Sequence, residues 1–274
     1  MEIFNPTNAI IPAMRKAIDA ELAQIEADED VRIVFAVESG SRAWGFPSPD
    51  SDYDVRFIYA RPVDWYLTIE PGRDVIERPI SDELDVSGWD IRKALGLLIK
   101  PNPVMLEWLS SPIHYRWSPD ACNRLTAFAE TTAFGRSCLY HYLHLGERQQ
   151  RVYAEGKSTV NLKKYFYMVR PAMAIRWIRM QPDTPPPMNF QELCAGVALP
   201  ENLTVELAAL LEEKSRSKEV GEGPRIAAID TFLADEFAWA RGATSQRAAP
   251  SENLRTQADT LFRSIVKPAN DSDA

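Results

Sequence analysis

The chain has 274 residues, 45% of them apolar, and a net charge of −8, enough material for one large domain or two of ordinary size with cores of their own. No run of roughly eighteen apolar residues occurs, which argues against a membrane-spanning helix, and the acidic balance argues against non-specific binding along a polyanion. Cys122, Cys138 and Cys194 are odd in number and widely spaced, with no CxxC, so they suggest neither a disulfide framework nor a zinc site and read as buried thiols.

The first segment, MEIFNPTNAIIPAMRKAIDAEL, lacks the basic end, apolar stretch and small-residue cleavage site of a signal peptide, so a cytoplasmic location is expected. Ile11, Met14, Ile18, Leu22 and Ile25 recur at helical spacing and predict a helix over residues 8–28. RIVFAVE at 32–38 is apolar enough for a strand buried on both faces, and DVRFIYA at 54–60 is a second β-rich run. ELDVSGW at 83–89 is a third strand candidate. Asp90 before IRKALGLLIK reads as an N-cap and helix that Pro101 stops, and Asn102-Pro103 starts another through VMLEWL.

From residue 118 the strand signals vanish. Helices are predicted at roughly 119–130, 135–154, 160–180, 201–216 and 224–241, with PDTPPP at 182–187 a stiff loop and SRSKEVGEGP a flexible one. The expected organisation is an α/β domain over residues 1–117, a helical domain over 118–266 and a disordered tail over 267–274.

Between the first two strands lies ESGSRAWGFPSPDSDYDVRFIY. In an extended strand Asp52, Asp54 and Arg56 face one way and Tyr53, Val55, Phe57 and Tyr59 the other. Carboxylates placed side by side repel and lose solvation, which calls for a compensating cation; hard divalent ions such as Mg²⁺ take oxygen ligands. A bare Asp-x-Asp is more often an exposed turn. Asp50, Asp52 and Asp54 also match the first positions of an EF-hand loop, but the required glycine is Val55 and the required glutamate is Arg61. What shifts the balance is Gly40-Ser41 twelve residues upstream, after a buried strand, where bare backbone and a hydroxyl could meet phosphate oxygens. No GxxxxGK[ST] is present, which excludes a P-loop.

The compound pattern Gly40-Ser41 followed by Asp52-x-Asp54 resembles the signature of the DNA polymerase β-like nucleotidyltransferase superfamily. The wording SGSRAWGFPSPDSDYDVRFIY, GWDIRKALGLLIKPNPVMLEWLSSPIHY and LKKYFYMVRPAMAIRWI is similar to a bacterial and phage group that includes the RNA-repair-associated polymerase β-like proteins. The resemblance covers about residues 31–193. It implies an α+β fold, a small mixed sheet with flanking helices followed by an all-helical domain. It also implies a third carboxylate on a neighbouring strand: Asp85 is the choice, with Glu83 on the same strand face as runner-up.

In such an enzyme two Mg²⁺ ions (Mn²⁺ being the alternative) about 3.5 to 4 Å apart would be held by Asp52, Asp54 and Asp85 for in-line attack of an acceptor hydroxyl on the α-phosphorus of an NTP. Gly40, Ser41 and Arg42 would meet the triphosphate. Arg56 is as readily a carboxylate partner as a phosphate contact. In the helical half, KSTVNLKKYFYMVRP gathers Lys157, Lys163, Lys164 and Arg170 with Tyr167; Lys163, Tyr167 and Arg170 share a helix face and supply the cations and aromatic plane a nucleotide needs. The expectation is that this domain closes over the nucleotide, with Lys164 and Arg170 its main contacts.

The acceptor is left open among a nucleic-acid end, a protein and a small molecule. The competing expectation from another class is a catalytically silent nucleotide-binding or toxin–antitoxin-type regulatory module on the same fold. His141 and His144, three apart on a helix, lack further ligands and read as packing or surface residues. Trp44, Trp89, Trp108 and Trp177 read as core. Ser110-Ser111 lacks a nucleophile-elbow context and reads as a turn.

Overall fold

The computed structural model describes residues 10–80, 83–132, 136–216, 221–243 and 252–267. In chain order the elements are α1 (Pro12–Glu29), β1 (Arg32–Glu38), α2 (Gly40–Ala43), β2 (Tyr53–Ala60), α3 (Val63–Tyr66), β3 (Val75–Glu77), β4 (Leu84–Asp90), α4 (Ile91–Ile99), α5 (Pro103–Leu109), β5 (His114–Trp117) and α6 (Pro119–Glu130). There follow α7 (Arg136–Tyr153), β6 (Thr159–Asn161), α8 (Leu162–Met180), α9 (Phe190–Ala195), α10 (Glu201–Arg216), β7 (Glu222–Pro224), α11 (Ala227–Ala243) and α12 (Glu252–Val266).

Local chemistry sets several of these boundaries. Pro12 sits in the first turn of α1, where its missing N–H costs nothing. The Asp90 carboxylate accepts the Arg92 N–H at 2.7 Å and starts α4. Asn102 does the same for α5, with Pro103 behind it, and Asn161 caps α8. The caps at Asp90 and Asn102 are the ones that the sequence suggests.

The chain forms two compact units, α+β and mainly helical. The first comprises residues 10–40, 52–132 and 252–267. Its five-stranded sheet has the order β3-β4-β2-β1-β5, antiparallel except for the parallel pair β2–β4. One sheet face carries Tyr53, Val55, Phe57 and Tyr59, as alternation predicts, and buries them with Ile18, Leu22 and Ile25 of α1. The other face packs Val34, Phe35 and Ile58 against Ile91 and Leu98 of α4, Leu125 and Phe128 of α6, and Ala258 and Ile265 of α12. The second unit comprises residues 41–51, 136–216 and 221–243. It is built on the pairing of α7, α8 and α11, with β6 and β7 forming a small antiparallel ribbon.

This division departs from a single boundary at 117/118. Helix α6 and the late helix α12 belong with the sheet because their apolar faces complete its core. Residues 41–51 belong with the helices because Phe46 stacks on Phe166 at 5.1 Å and meets Phe190 edge-on at 5.9 Å. A linear reading cannot see the chain leave one core for eleven residues or return to it at the end. The short strands β3, β5, β6 and β7 and helices α9 and α12 are likewise additions to the sequence reading. The tail from residue 268 onward lies outside the described residues. No described helix is long and apolar enough to cross a membrane.

Candidate active site

The parallel pairing of β2 with β4 puts Asp54 opposite Asp85, in register. In-register residues of neighbouring strands share a face, so the two carboxylates stand side by side. Arg56, two residues along β2 on that same face, joins them: its Nη2 donates to Asp54 Oδ1 at 3.2 Å and to Asp85 Oδ2 at 2.6 Å. Its Nη1 donates to the backbone carbonyls of Asp85 at 2.9 Å and Val55 at 3.1 Å. All three side chains remain partly open to solvent. Of the two roles expected for Arg56, the carboxylate partnership is the one these contacts display.

Asp54 is fixed from behind. Its N–H donates to Glu38 Oε1 at 3.0 Å, and its carbonyl accepts the Ser39 N–H at 2.8 Å. Glu38 is fully buried, its other oxygen accepts the Tyr115 hydroxyl, and its carbonyl accepts from Ser111 Oγ at 2.6 Å. Ser111 is therefore an anchor of the strand end. Sequence reasoning missed Glu38, although a charged residue closing an otherwise apolar strand directly before Ser-Gly-Ser was a signal.

Gly40 completes this arrangement. Its φ of +60° lies in the left-handed region, and a Cβ there would come within 1.9 Å of Asp54 Oδ2. The Asp54 carboxylate thus lies directly over the glycine backbone, which explains the spacing of Gly40 and Asp54 better than phosphate access alone.

Of the two candidates for the third carboxylate, Asp85 is the one placed beside Asp54. Glu83 precedes β4, and its carbonyl accepts the Tyr53 N–H at 2.8 Å. Asp52 lies exposed, one residue before β2 begins. Among the described residues no three acidic, histidine or cysteine side chains are close enough together to hold a metal ion. The donor chemistry still suits a hard divalent cation, because two carboxylates meet on one face and remain partly open to solvent.

The remaining predicted site residues lie in the helical unit. Ser41 and Arg42 are buried, and Arg42 Nη2 donates to the Ser51 carbonyl at 2.7 Å. Lys163 pairs with Asp50 at 2.9 Å. The Lys164 ammonium stands over the rings of Tyr167 at 4.9 Å and Tyr153 at 5.4 Å. Tyr167 packs edge-on against Trp44 and Phe46.

Arg170 packs inside the helical unit. It is only 3% exposed, donates through Nε and Nη2 to the Met188 carbonyl at 3.2 Å each, and lies over the Trp44 ring at 4.8 Å. The three-residue spacing from Tyr167 carries it into the core. Arg170→Ala is accordingly expected to destabilise the protein by about 1–3 kcal/mol, because a buried carbonyl loses its donor; a thermal melt unchanged from wild type would refute this role.

A residue the sequence reading missed is Lys214. Leu203, Leu207, Leu210 and Leu211 form the buried stripe of α10, and Lys214 continues it at helical spacing, 2% exposed. Its ammonium donates to the Phe46 carbonyl. Burial first, then the positive charge of Lys163, pull its pKa down to about 7; Lys164 and Arg42 add to this and Asp50 opposes it. Between about pH 7 and the ordinary lysine value of 10.5 the unfolded chain holds a proton that the folded chain does not, so this group's penalty on stability fades as pH rises through that window. The stability of Lys214→Met minus that of wild type should therefore be more favourable at about pH 6.5 than at about pH 9.5 in urea titrations. No pH dependence of that difference would contradict the assignment.

Other candidates resolve to structure. Burial pushes the Cys122 and Cys194 thiols up to about 12, as fits inert core cysteines. His144 is exposed and stacks on Tyr140, and His141 meets Tyr142 edge-on. Trp89 and Trp108 stack at 4.0 Å in the sheet unit's core.

Residues 14–264 match the RNA repair pathway DNA polymerase beta family. A Bacillus subtilis (strain 168) protein, the uncharacterized protein YcgL, is 41% identical over 254 residues, covering 93% of this chain and 97% of that one. A solved nucleotidyltransferase-like protein from Exiguobacterium sibiricum 255-15 aligns over 92% of this chain and 75% of its own, with 10% identity and a TM-score of 0.26. That likeness is too low to carry weight, and the assignment rests on sequence. With the family match spanning nearly the whole chain, and Gly40-Ser41 and Asp52-x-Asp54 standing within it, the protein belongs to the RNA repair pathway DNA polymerase beta family, one of the polymerase β-like nucleotidyltransferases.

Proposed function

We propose that the protein transfers a nucleoside monophosphate from an NTP to a hydroxyl acceptor and releases pyrophosphate. The observation that carries this reading is the in-register pair Asp54 and Asp85, with the Asp54 carboxylate seated on Gly40. Asp54 and Asp85 would hold a divalent cation, Mg²⁺ or Mn²⁺, with Asp52 as the further ligand. When bound, the ion supplies positive charge to the α-phosphate and to the leaving pyrophosphate.

The chain's own residues divide the remaining work. An acceptor hydroxyl oxygen attacks the α-phosphorus, the bond from that phosphorus to the bridging oxygen of the β-phosphate breaks, and the hydroxyl proton passes to the Asp85 oxygen that Arg56 leaves free. Glu38 and Gly40 keep Asp54 from rotating away, because one holds its backbone and the other leaves it room. Arg56 offsets part of the repulsion between the two carboxylates by pairing with both. Ser41, Arg42, Lys163 and Lys164 are the proposed phosphate contacts. Lys164→Ala should raise the NTP KM, each charge-assisted contact being worth roughly 1.5–3 kcal/mol, with little change in melting temperature. An unchanged KM would remove Lys164 from the set.

A second reading, a silent nucleotide-binding module, draws on one observation: Arg56 already pairs with both carboxylates. Incubating the protein with each α-phosphate-labelled NTP and Mg²⁺ or Mn²⁺, together with RNA, protein and metabolite fractions, tests the two. Covalent label in one fraction supports the transferase and identifies its acceptor class. NTP binding without any labelled product supports the silent module.

A further inference from the structure

A cavity of about 590 Å³ lies within the sheet-bearing unit, between α3, α4 and α12. It stands apart from the carboxylate pair. Tyr66 in its wall donates its hydroxyl to Asp90 at 2.7 Å, and Asp90 is the last residue of β4, whereas Asp85 lies five residues back along that strand. The separation is therefore roughly 16 Å along β4.

Its walls follow from helical spacing. Arg92, Leu95, Gly96 and Ile99 line it from one face of α4; Ala258, Phe262 and Val266 line it from α12. Gly96 makes the slot. Glycine is the least favourable residue after proline in a helix interior, and here no neighbour demands it, since a Cβ built on Gly96 meets nothing within 4 Å. The missing side chain leaves open space against an apolar floor.

The rim is cationic and pre-arranged. The half-buried rings of Tyr66 and Phe262 meet edge-on at 5.0 Å, and the Arg92 guanidinium lies over both, 4.8 and 5.5 Å from their centroids. Arg263 and Lys267 also stand at the opening, both exposed, against one acid, Asp259, which is 3.9 Å from Arg263. Among the described residues that line the cavity, three cations stand against one carboxylate, a local excess of positive charge in a chain of net charge −8. Leu67 adds an apolar lip that is 75% exposed.

We propose that this cavity is a binding site for a small amphipathic anion, its apolar body in the slot over Gly96 and a carboxylate or phosphate head against Arg92, Arg263 and Lys267. The volume falls in the range of small-molecule sites, which are mostly apolar with a few placed polar groups. The cations cluster at one mouth and not along a track, which suits a single head group over a polyanion.

The test uses the full chain and three probes with one tail, all below their micelle concentrations: decanoate, decyl phosphate and decyltrimethylammonium. Calorimetry should show saturable binding of at least one anion at one site per chain, with the cation at least about tenfold weaker. Whichever anion binds better identifies the head group. Gly96→Leu puts side-chain volume into the slot from a position where a Cβ has open space, and should abolish binding while leaving the melting temperature unchanged or higher. Arg263→Glu with Lys267→Glu should weaken the anion at least about tenfold. The proposal is overturned if neither anion binds, if the cation binds as well as the anions, if Gly96→Leu binds normally, or if a short single-stranded RNA displaces both anions and itself requires Arg263 and Lys267.

Discussion

Asp54→Asn and Asp85→Asn should each lower NTP-dependent transfer by about a hundredfold to a thousandfold or more, as expected when one preorganised electrostatic group is removed from a transition state. Asparagine keeps the size of the side chain and its place on the strand, so the sheet should survive. Each substitution removes one of the two negative charges that meet at Arg56 Nη2, and with it a cation ligand. The loss should appear in kcat, with melting temperature moving by only a few degrees. Combining the two should cost far less than the product of the single losses, because both serve one centre. Turnover near wild type in either single variant would show that the pair is structural.

Gly40→Ala should come close to the same loss from a residue with no chemistry of its own. The φ of +60° is strained for any residue with a Cβ, at a cost of roughly 1–2 kcal/mol. The added methyl would also overlap Asp54 Oδ2 at 1.9 Å and must push that carboxylate aside or shift the strand end. Melting temperature should fall by a few degrees per kcal/mol for a chain of this size, and transfer should fall much further than that stability loss explains. Ser41→Ala, one residue along, serves as comparison for stability alone, since position 41 does not have a positive φ. If Gly40→Ala folds and turns over normally, the seating of Asp54 on residue 40 does not matter for function.

The main strands and most helices are legible in the sequence because period and cap agree: alternation in residues 53–59, apolar spacing at 18, 22 and 25, and Asp90 and Asn102 at helix starts. The choice of Asp85 over Glu83 follows from registering two strands, which the sequence could suggest but only the parallel β2–β4 pairing makes concrete. Arg170 and Lys214 show where local reading fails. Both are long cations on helices, and composition places both in water. Tertiary packing buries them, one on a carbonyl and an indole face, the other on a carbonyl and a phenyl ring. For Lys214 the clue was present in its position on the leucine stripe of α10. The allocation of residues 41–51 and of α12 was beyond reach, because it depends on which distant apolar face each segment covers.

The claim of nucleotidyl transfer is tested most directly by following which phosphates move. The purified chain is incubated with Mg²⁺, the acceptor fraction and an NTP labelled either at the α- or at the γ-phosphate. The α-label should become covalently attached to the acceptor while γ-label leaves as pyrophosphate, one for each nucleotide attached, and Asp54→Asn should stop both together. Transfer of γ-label to the acceptor, or release of γ-label as single phosphate with no acceptor labelled, would contradict the claim.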